Sequence, residues 1–93
     1  MRTDEIIVAL ADENPEALMA DGFEDALIGI AYRCGQKPLA VYSMRRAIRL
    51  LVERDGMSES DAKEYLEFNV LGAWNGENTP IFLVAERGDG LGG

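Results

Sequence analysis

ALIGIAYRCGQKPLAVY, Ala26 to Tyr42, is the stretch of this 93-residue chain that fits two strands joined by a turn. Two short apolar runs flank CGQKP, a sequence that is typical of turns. Apolar residues or glycine fill the whole first run, as in a strand that is buried on both faces. The segment therefore predicts a β-hairpin. A helix over Phe23 to Ala31 stays open as the alternative, because four residues also fit helical spacing: Phe23, Leu27, Ile30 and Cys34.

Two helices are predicted after the hairpin. Ser43 caps the first, in which apolar residues recur at i, i+3, i+4, i+7 and i+8 until Asp55-Gly56 ends it. Ser58 caps the second, which we predict to reach Leu71. The polar loop NGENTP then leads into Pro80 to Ala85, an apolar run that predicts a strand in the centre of the sheet.

Acidic helical segments are predicted at the N-terminus. Thr3 is a suitable cap for a first helix, whose apolar stripe Asn14-Pro15 interrupts. A second short helix is predicted over Pro15 to Ala20, because proline favours the first helical position and Asp21-Gly22 follows.

These elements predict one α+β domain over residues 1–93. We expect a small, mostly antiparallel three-stranded sheet, made of the hairpin and the C-terminal strand, with the two main helices on one face and short N-terminal helices beside it. Residues 1–22 form the acidic helical segment, residues 23–86 the α+β core, and residues 87–93 a flexible glycine-rich tail.

Charge is segregated along the chain. Residues 1–32 carry eight acidic side chains against one basic, residues 33–57 six basic against two acidic, and residues 58–93 seven acidic against two basic, for a net charge of −8. Such a surface repels nucleic acid and attracts basic partners. Three arginines of the first main helix form a basic row: Arg45, Arg46 and Arg49. One interpretation is contact with phosphate, and the favoured one is that they pair within the fold or with a second copy.

Several classes of site are disfavoured by composition. The chain has no histidine, which excludes zinc sites of the Cys/His type, and we expect no metal or cofactor. No apolar run is long enough to span a membrane and no secretory signal is recognisable. The single Cys34 fits a reducing cytoplasm. Glu24 and Asp25 are adjacent carboxylates without the spacing of a calcium loop, so we interpret them as a solvated edge available to a partner.

EFNVLGAWNGENTP, Glu67 to Pro80, contains the candidate site. Asn69 lies on the apolar stripe of its helix, where a buried amide needs hydrogen-bond partners. One interpretation is that Asn69 joins the helix end to the following loop. The other is a polar pocket beside Trp74, the only tryptophan, with four lining residues: Glu67, Asn69, Glu77 and Asn78.

Two segments of the chain resemble a family. DGFEDALIGIAYRCGQKPLAVYS and RDGMSESDAKEYLEFNVLGAWNGENTPIFL, within Asp21 to Leu83, are similar to a group of small uncharacterised acidic proteins of bacteriophages, prophages and bacteria. That group usually has Asp at the position of Ser43, another good helix cap. The resemblance implies a phage or mobile-element setting and supplies no catalytic or binding residues.

Three functions are consistent with these features. The first is a non-enzymatic interaction protein that binds and inhibits a basic host or defence protein that handles nucleic acid, in the manner of anti-CRISPR or anti-restriction proteins. The second is a small-ligand or nucleotide binding module with a pocket around Trp74, Asn69 and Glu77. The third, least favoured, is an enzyme with Glu67 and Glu77 as a carboxylate pair. A homodimer through free strand edges is also considered.

Overall fold

The computed structural model describes residues 1–73 and 75–85, and its class is α+β as predicted. Three helices and a three-stranded sheet follow one another along the chain. Their bounds are α1 (Thr3–Glu13), a 3-10 turn (Glu24–Ala26), β1 (Leu27–Ala31), β2 (Leu39–Ser43), α2 (Met44–Asp55), α3 (Glu59–Leu66), a π-helical turn (Glu67–Leu71) and β3 (Ile81–Leu83). The predicted tail over residues 87–93 lies outside the described residues.

The predicted hairpin is confirmed. β1 and β2 pair antiparallel, with Ala31 opposite Leu39 and a register shift between Leu27 and Gly29. The alternative of a helix over residues 23–31 reduces to the single 3-10 turn that precedes β1.

The sheet is mixed, not mostly antiparallel as predicted. Its order is β1-β2-β3, and β3 pairs parallel to β2. Parallel neighbours need a long crossover, which α2, α3 and the loop before β3 provide here. The prediction that the C-terminal strand is central is therefore wrong, because β3 forms an edge and its apolar character has another cause.

The two main helices begin as predicted. The Ser43 hydroxyl accepts a hydrogen bond from the Arg46 N–H at 3.2 Å, and the Ser58 hydroxyl accepts one from the Asp61 N–H at 3.0 Å. Gly56 ends α2 in the left-handed conformation, with φ of 71°. The second helix keeps α geometry only to Leu66 and continues to Leu71 as the π-helical turn.

The N-terminal segment differs from the prediction after α1. Arg2 takes the N-cap position in place of Thr3, and its N–H donates to the Glu5 carboxylate at 2.7 Å. Residues 15 and 16 form a turn and residues 17–20 have no regular secondary structure, so the predicted second helix is absent. Their backbone N–H groups bond to partners elsewhere: Leu18 donates to the Asn78 carbonyl at 3.0 Å and Ala20 to the Tyr42 hydroxyl at 2.8 Å.

One apolar core lies on one face of the sheet. It joins side chains from each helix and from both hairpin strands, namely Ile6, Leu10, Phe23, Ala26, Leu27, Ala40, Tyr42, Met44, Ala47, Leu51, Ala62 and Leu66. The Tyr42 and Phe82 rings stack with centroids 5.3 Å apart, so β3 joins the core through this pair. The helices therefore pack on a single face of the sheet, as predicted.

Candidate functional site

Asn14 holds the candidate region in place. Its side chain is only 1% exposed. The amide nitrogen donates to the Pro38 carbonyl at 2.9 Å and to the Asn78 side-chain oxygen at 3.0 Å, and the amide oxygen accepts from the Glu16 N–H at 3.2 Å. One buried side chain thus connects the end of α1, the hairpin turn and the loop that leads to β3.

The larger groove lies between residues 18–23 and the stretch that follows α3. Its volume is about 640 Å³, within the usual range for small-molecule sites. Asp21 is the only charged residue among the described residues that line it, and the other polar groups include Asn69, Asn75 and Thr79. The remaining lining residues are Leu18, Met19, Ala20, Phe23, Tyr65, Val70, Leu71, Ala73, Pro80 and Phe82.

Tyr42 supports this groove from the core. Its ring stacks on Phe82, which lines the groove, and its hydroxyl accepts the N–H of Ala20. Burial raises the pKa of the Tyr42 hydroxyl, an effect that the Ala20 hydrogen bond opposes. The hydroxyl therefore stays protonated at neutral pH and serves as a fixed structural link.

Arg54 fixes the opposite end of residues 18–23. Its guanidinium donates to the Gly22 carbonyl at 2.6 Å and lies 5.9 Å from the centre of the Phe23 ring. The same group pairs with the Asp55 carboxylate through hydrogen bonds of 3.0 Å and 3.1 Å, and this pairing raises the pKa of Arg54 and lowers that of Asp55. The Arg54 contacts hold this wall of the larger groove against the end of α2.

A smaller groove of about 280 Å³ lies beside the hairpin turn. Arg33 and Lys37 line it from the turn, and Glu77 lines it from the loop before β3. The groove also contains apolar side chains of the sheet, including Leu39 and Ile81. Opposite charges therefore stand at one rim of the sheet.

A third feature, which we call the acidic helix surface, is formed by α3 and the π-helical turn. This surface surrounds a shallow depression of about 330 Å³. It is defined by six residues: Met57, Asp61, Glu64, Tyr65, Phe68 and Asn69. Phe68 is 76% exposed and Tyr65 is 40% exposed. Carboxylates at positions 61 and 64 stand beside these rings. Single π-helical turns inside helices are frequent at functional sites.

The residues predicted to share one polar pocket are distributed over different features. Asn69 lines the larger groove and is exposed, its amide donating to the Tyr65 carbonyl of its own helix at 3.2 Å, so the expected burial is wrong. Glu77 lines the smaller groove, and Asn78 bonds to Asn14. Glu67 is exposed on the π-helical turn and lines neither groove. Trp74 lies outside the described residues.

Glu24 and Asp25 are exposed in the 3-10 turn. The Glu24 carboxylate accepts a hydrogen bond from the Gly22 N–H at 3.3 Å. Asp25 lies in a shallow depression with Glu53 and two arginines of α2, Arg46 and Arg49. Arg46 and Arg49 of the basic row therefore stand among acidic side chains of the same fold.

Sequence patterns do not predict Asn14, Tyr42 or Arg54 as the residues that position the grooves. In the sequence, Asn14-Pro15 indicates only the end of α1. One feature of the sequence could have indicated the role of Asn14. This residue lies at a helix end immediately before Pro15, and asparagine side chains in such positions often bond to nearby backbone groups.

Within residues 1–73 and 75–85, no group of three or more Cys, Asp or Glu side chains stands close enough to hold a metal ion. Over the same residues, no helix is long and apolar enough to cross a membrane. In comparisons with known proteins, no family model, curated sequence or solved structure matches the chain.

Proposed function

We propose that this chain is a non-enzymatic acidic interaction protein that binds a basic surface of a host or defence protein that handles nucleic acid, and thereby inhibits it. In this proposal it is encoded by a phage or mobile element and acts in the host cytoplasm, as an anti-CRISPR or anti-restriction protein would. The observation that carries the proposal is the acidic helix surface, where Phe68 is 76% exposed beside Asp61 and Glu64.

An exposed aromatic ring among carboxylates suits a basic partner. Aromatic side chains supply much of the binding energy at protein interfaces, and lysine or arginine of a partner is attracted both to a ring face and to adjacent carboxylates. Every acidic side chain in the described part of the chain is exposed. The net negative charge of the described residues therefore acts at the surface and favours fast encounter with a positively charged partner.

The proposal is tested by capture of partners from host lysate at low and high salt. The binding affinity for the purified partner is then measured at both salt concentrations. Phe68→Ala is expected to weaken binding by roughly thirtyfold, as for a hot-spot aromatic. The double variant Asp61→Asn with Glu64→Gln is expected to reduce the salt dependence of the binding affinity, because fewer carboxylates pair with basic groups of the partner.

Val8→Ala is the matched control, since Val8 is a 62% exposed apolar residue of α1 and does not belong to the acidic helix surface. It should leave affinity unchanged. Equal affinity of wild type and Phe68→Ala for the captured partner, or a partner without a basic surface, contradicts the proposal.

A second candidate function is a small-ligand or nucleotide binding module. The larger groove favours it, because about 640 Å³ of mostly apolar lining with a few amide and hydroxyl groups is typical of ligand sites. A ligand at 100 times its dissociation constant stabilises the fold by about 2.7 kcal/mol. A thermal-shift screen of nucleotides, metabolites and metal ions tests this function, and a screen without any shift counts against it.

A further inference from the structure

The sheet has a second face that lies outside the core. Side chains alternate between the faces of a sheet, and the register pairs Ala31 with Leu39 and Val41 with Ile81. We define the open sheet face by five residues: Ala31, Leu39, Val41, Ile81 and Leu83. Within the described residues, none of the five belongs to the core or packs against it. Ile81 and Leu83 are 40% and 36% exposed, and the other three are half-buried.

The composition of the open sheet face is unusual for a surface. All five side chains are apolar, in a chain of which 28% of the residues are charged. A sheet with one solvated face ordinarily alternates polar residues outside with apolar residues inside. Contiguous exposed apolar patches mark interaction sites. This also explains the uninterrupted apolar run of β3, which has Phe82 on the core face and its neighbours on the open face.

We propose that the open sheet face packs against the same face of a second copy of the chain, forming a symmetric homodimer. A basic partner does not suit this face, because none of its five side chains is a carboxylate. A second copy does suit it, because the same uncharged apolar face is present on each copy and a twofold axis brings the two faces together. Sheets that pack in this way lie about 10 Å apart with their strands roughly aligned.

Charges at the rim favour one arrangement of the two copies. Arg33 and Lys37 lie in the turn between β1 and β2, and Glu77 precedes β3 at the same end of the sheet, beside the same groove. A twofold axis parallel to the strands places β1 of one copy opposite β3 of the other. Each turn then lies over the second copy's Glu77, so the symmetry creates two equivalent sets of opposite charges.

Analytical ultracentrifugation of the full chain over a range of concentrations tests this proposal. We expect a reversible dimer of the wild type. Ile81→Lys and Val41→Lys each place two cations in the dimer interface and should weaken dimerisation by roughly tenfold or more. Ile81 is an exposed edge-strand residue, so its variant should keep the wild-type circular dichroism spectrum. Val8→Lys, on the exposed part of α1, should dimerise as the wild type does.

The rim charges provide a second test. Glu77→Arg should weaken the dimer, and adding Arg33→Glu with Lys37→Glu should restore it, because the opposite charges are then exchanged. A wild type that stays monomeric at every concentration overturns the proposal, as does a dimer that survives both Ile81→Lys and Val41→Lys. Since the acidic helix surface is unchanged in these variants, binding of a basic partner is measured separately.

Discussion

Replacing Asn14 with alanine tests whether one buried amide holds the candidate region together. The substitution removes three hydrogen bonds, to Pro38, Asn78 and Glu16. At about 1 kcal/mol net for each bond, the free energy of unfolding should fall by about 3 kcal/mol. For a domain of this size, that corresponds to a melting temperature lower by roughly 12–24 °C.

Urea denaturation followed by circular dichroism measures this loss. Asn75→Ala is the matched control, because Asn75 is exposed and its side chain should contribute less than about 0.5 kcal/mol. A cycle with Asn78→Ala should return a coupling of about 1 kcal/mol for the shared hydrogen bond. An Asn14→Ala loss no larger than that of Asn75→Ala would refute the assignment of Asn14 as the connecting residue.

Three further predictions concern other contacts. Burial raises the pKa of Tyr42 above its ordinary 10.0, so the folded state holds this proton more tightly than the unfolded state does. The free energy of unfolding should therefore fall as the pH rises from 10 towards the higher pKa of the folded state. Tyr42→Phe should reduce that fall, measured by denaturation at several pH values. Gly56→Ala should cost about 1 kcal/mol, measured by urea denaturation, because φ of 71° strains a residue with a Cβ although the space there is open, whereas Gly56→Asn should cost less. Arg54→Ala should lower the melting temperature more than Arg54→Lys does, because the contacts to Gly22 and Phe23 depend on the planar guanidinium, and a larger drop for lysine would contradict this.

Elements with strong local signals were predictable from the sequence. Ser43 and Gly56 delimit α2 because capping acts within a few residues, and CGQKP between two apolar runs indicated the hairpin. The short helix predicted over residues 15–20 does not form, because backbone groups of this segment bond to residues that are distant in sequence. The N–H groups of Leu18 and Ala20 bond to Asn78 and Tyr42, which lie far away in sequence.

The place of β3 also depends on non-local contacts. An uninterrupted apolar run fits either a central strand or an edge strand that has a second apolar face, and the sequence alone does not separate the two. Parallel pairing of β3 with β2 depends on how α2 and α3 cross the sheet. Residues of the candidate loop line both grooves, but Glu77 and Asn78 separate, because Asn78 bonds to Asn14 while Glu77 lines the groove beside the hairpin turn.

The most direct measurement of the central claim is the affinity of the wild type and of Phe68→Ala for a captured partner, at low and high salt. We expect a basic protein that handles nucleic acid, bound at low salt, released at high salt and bound roughly thirtyfold more weakly by Phe68→Ala. If no partner is enriched at either salt concentration, or if Phe68→Ala binds as tightly as the wild type does, the proposed function is contradicted.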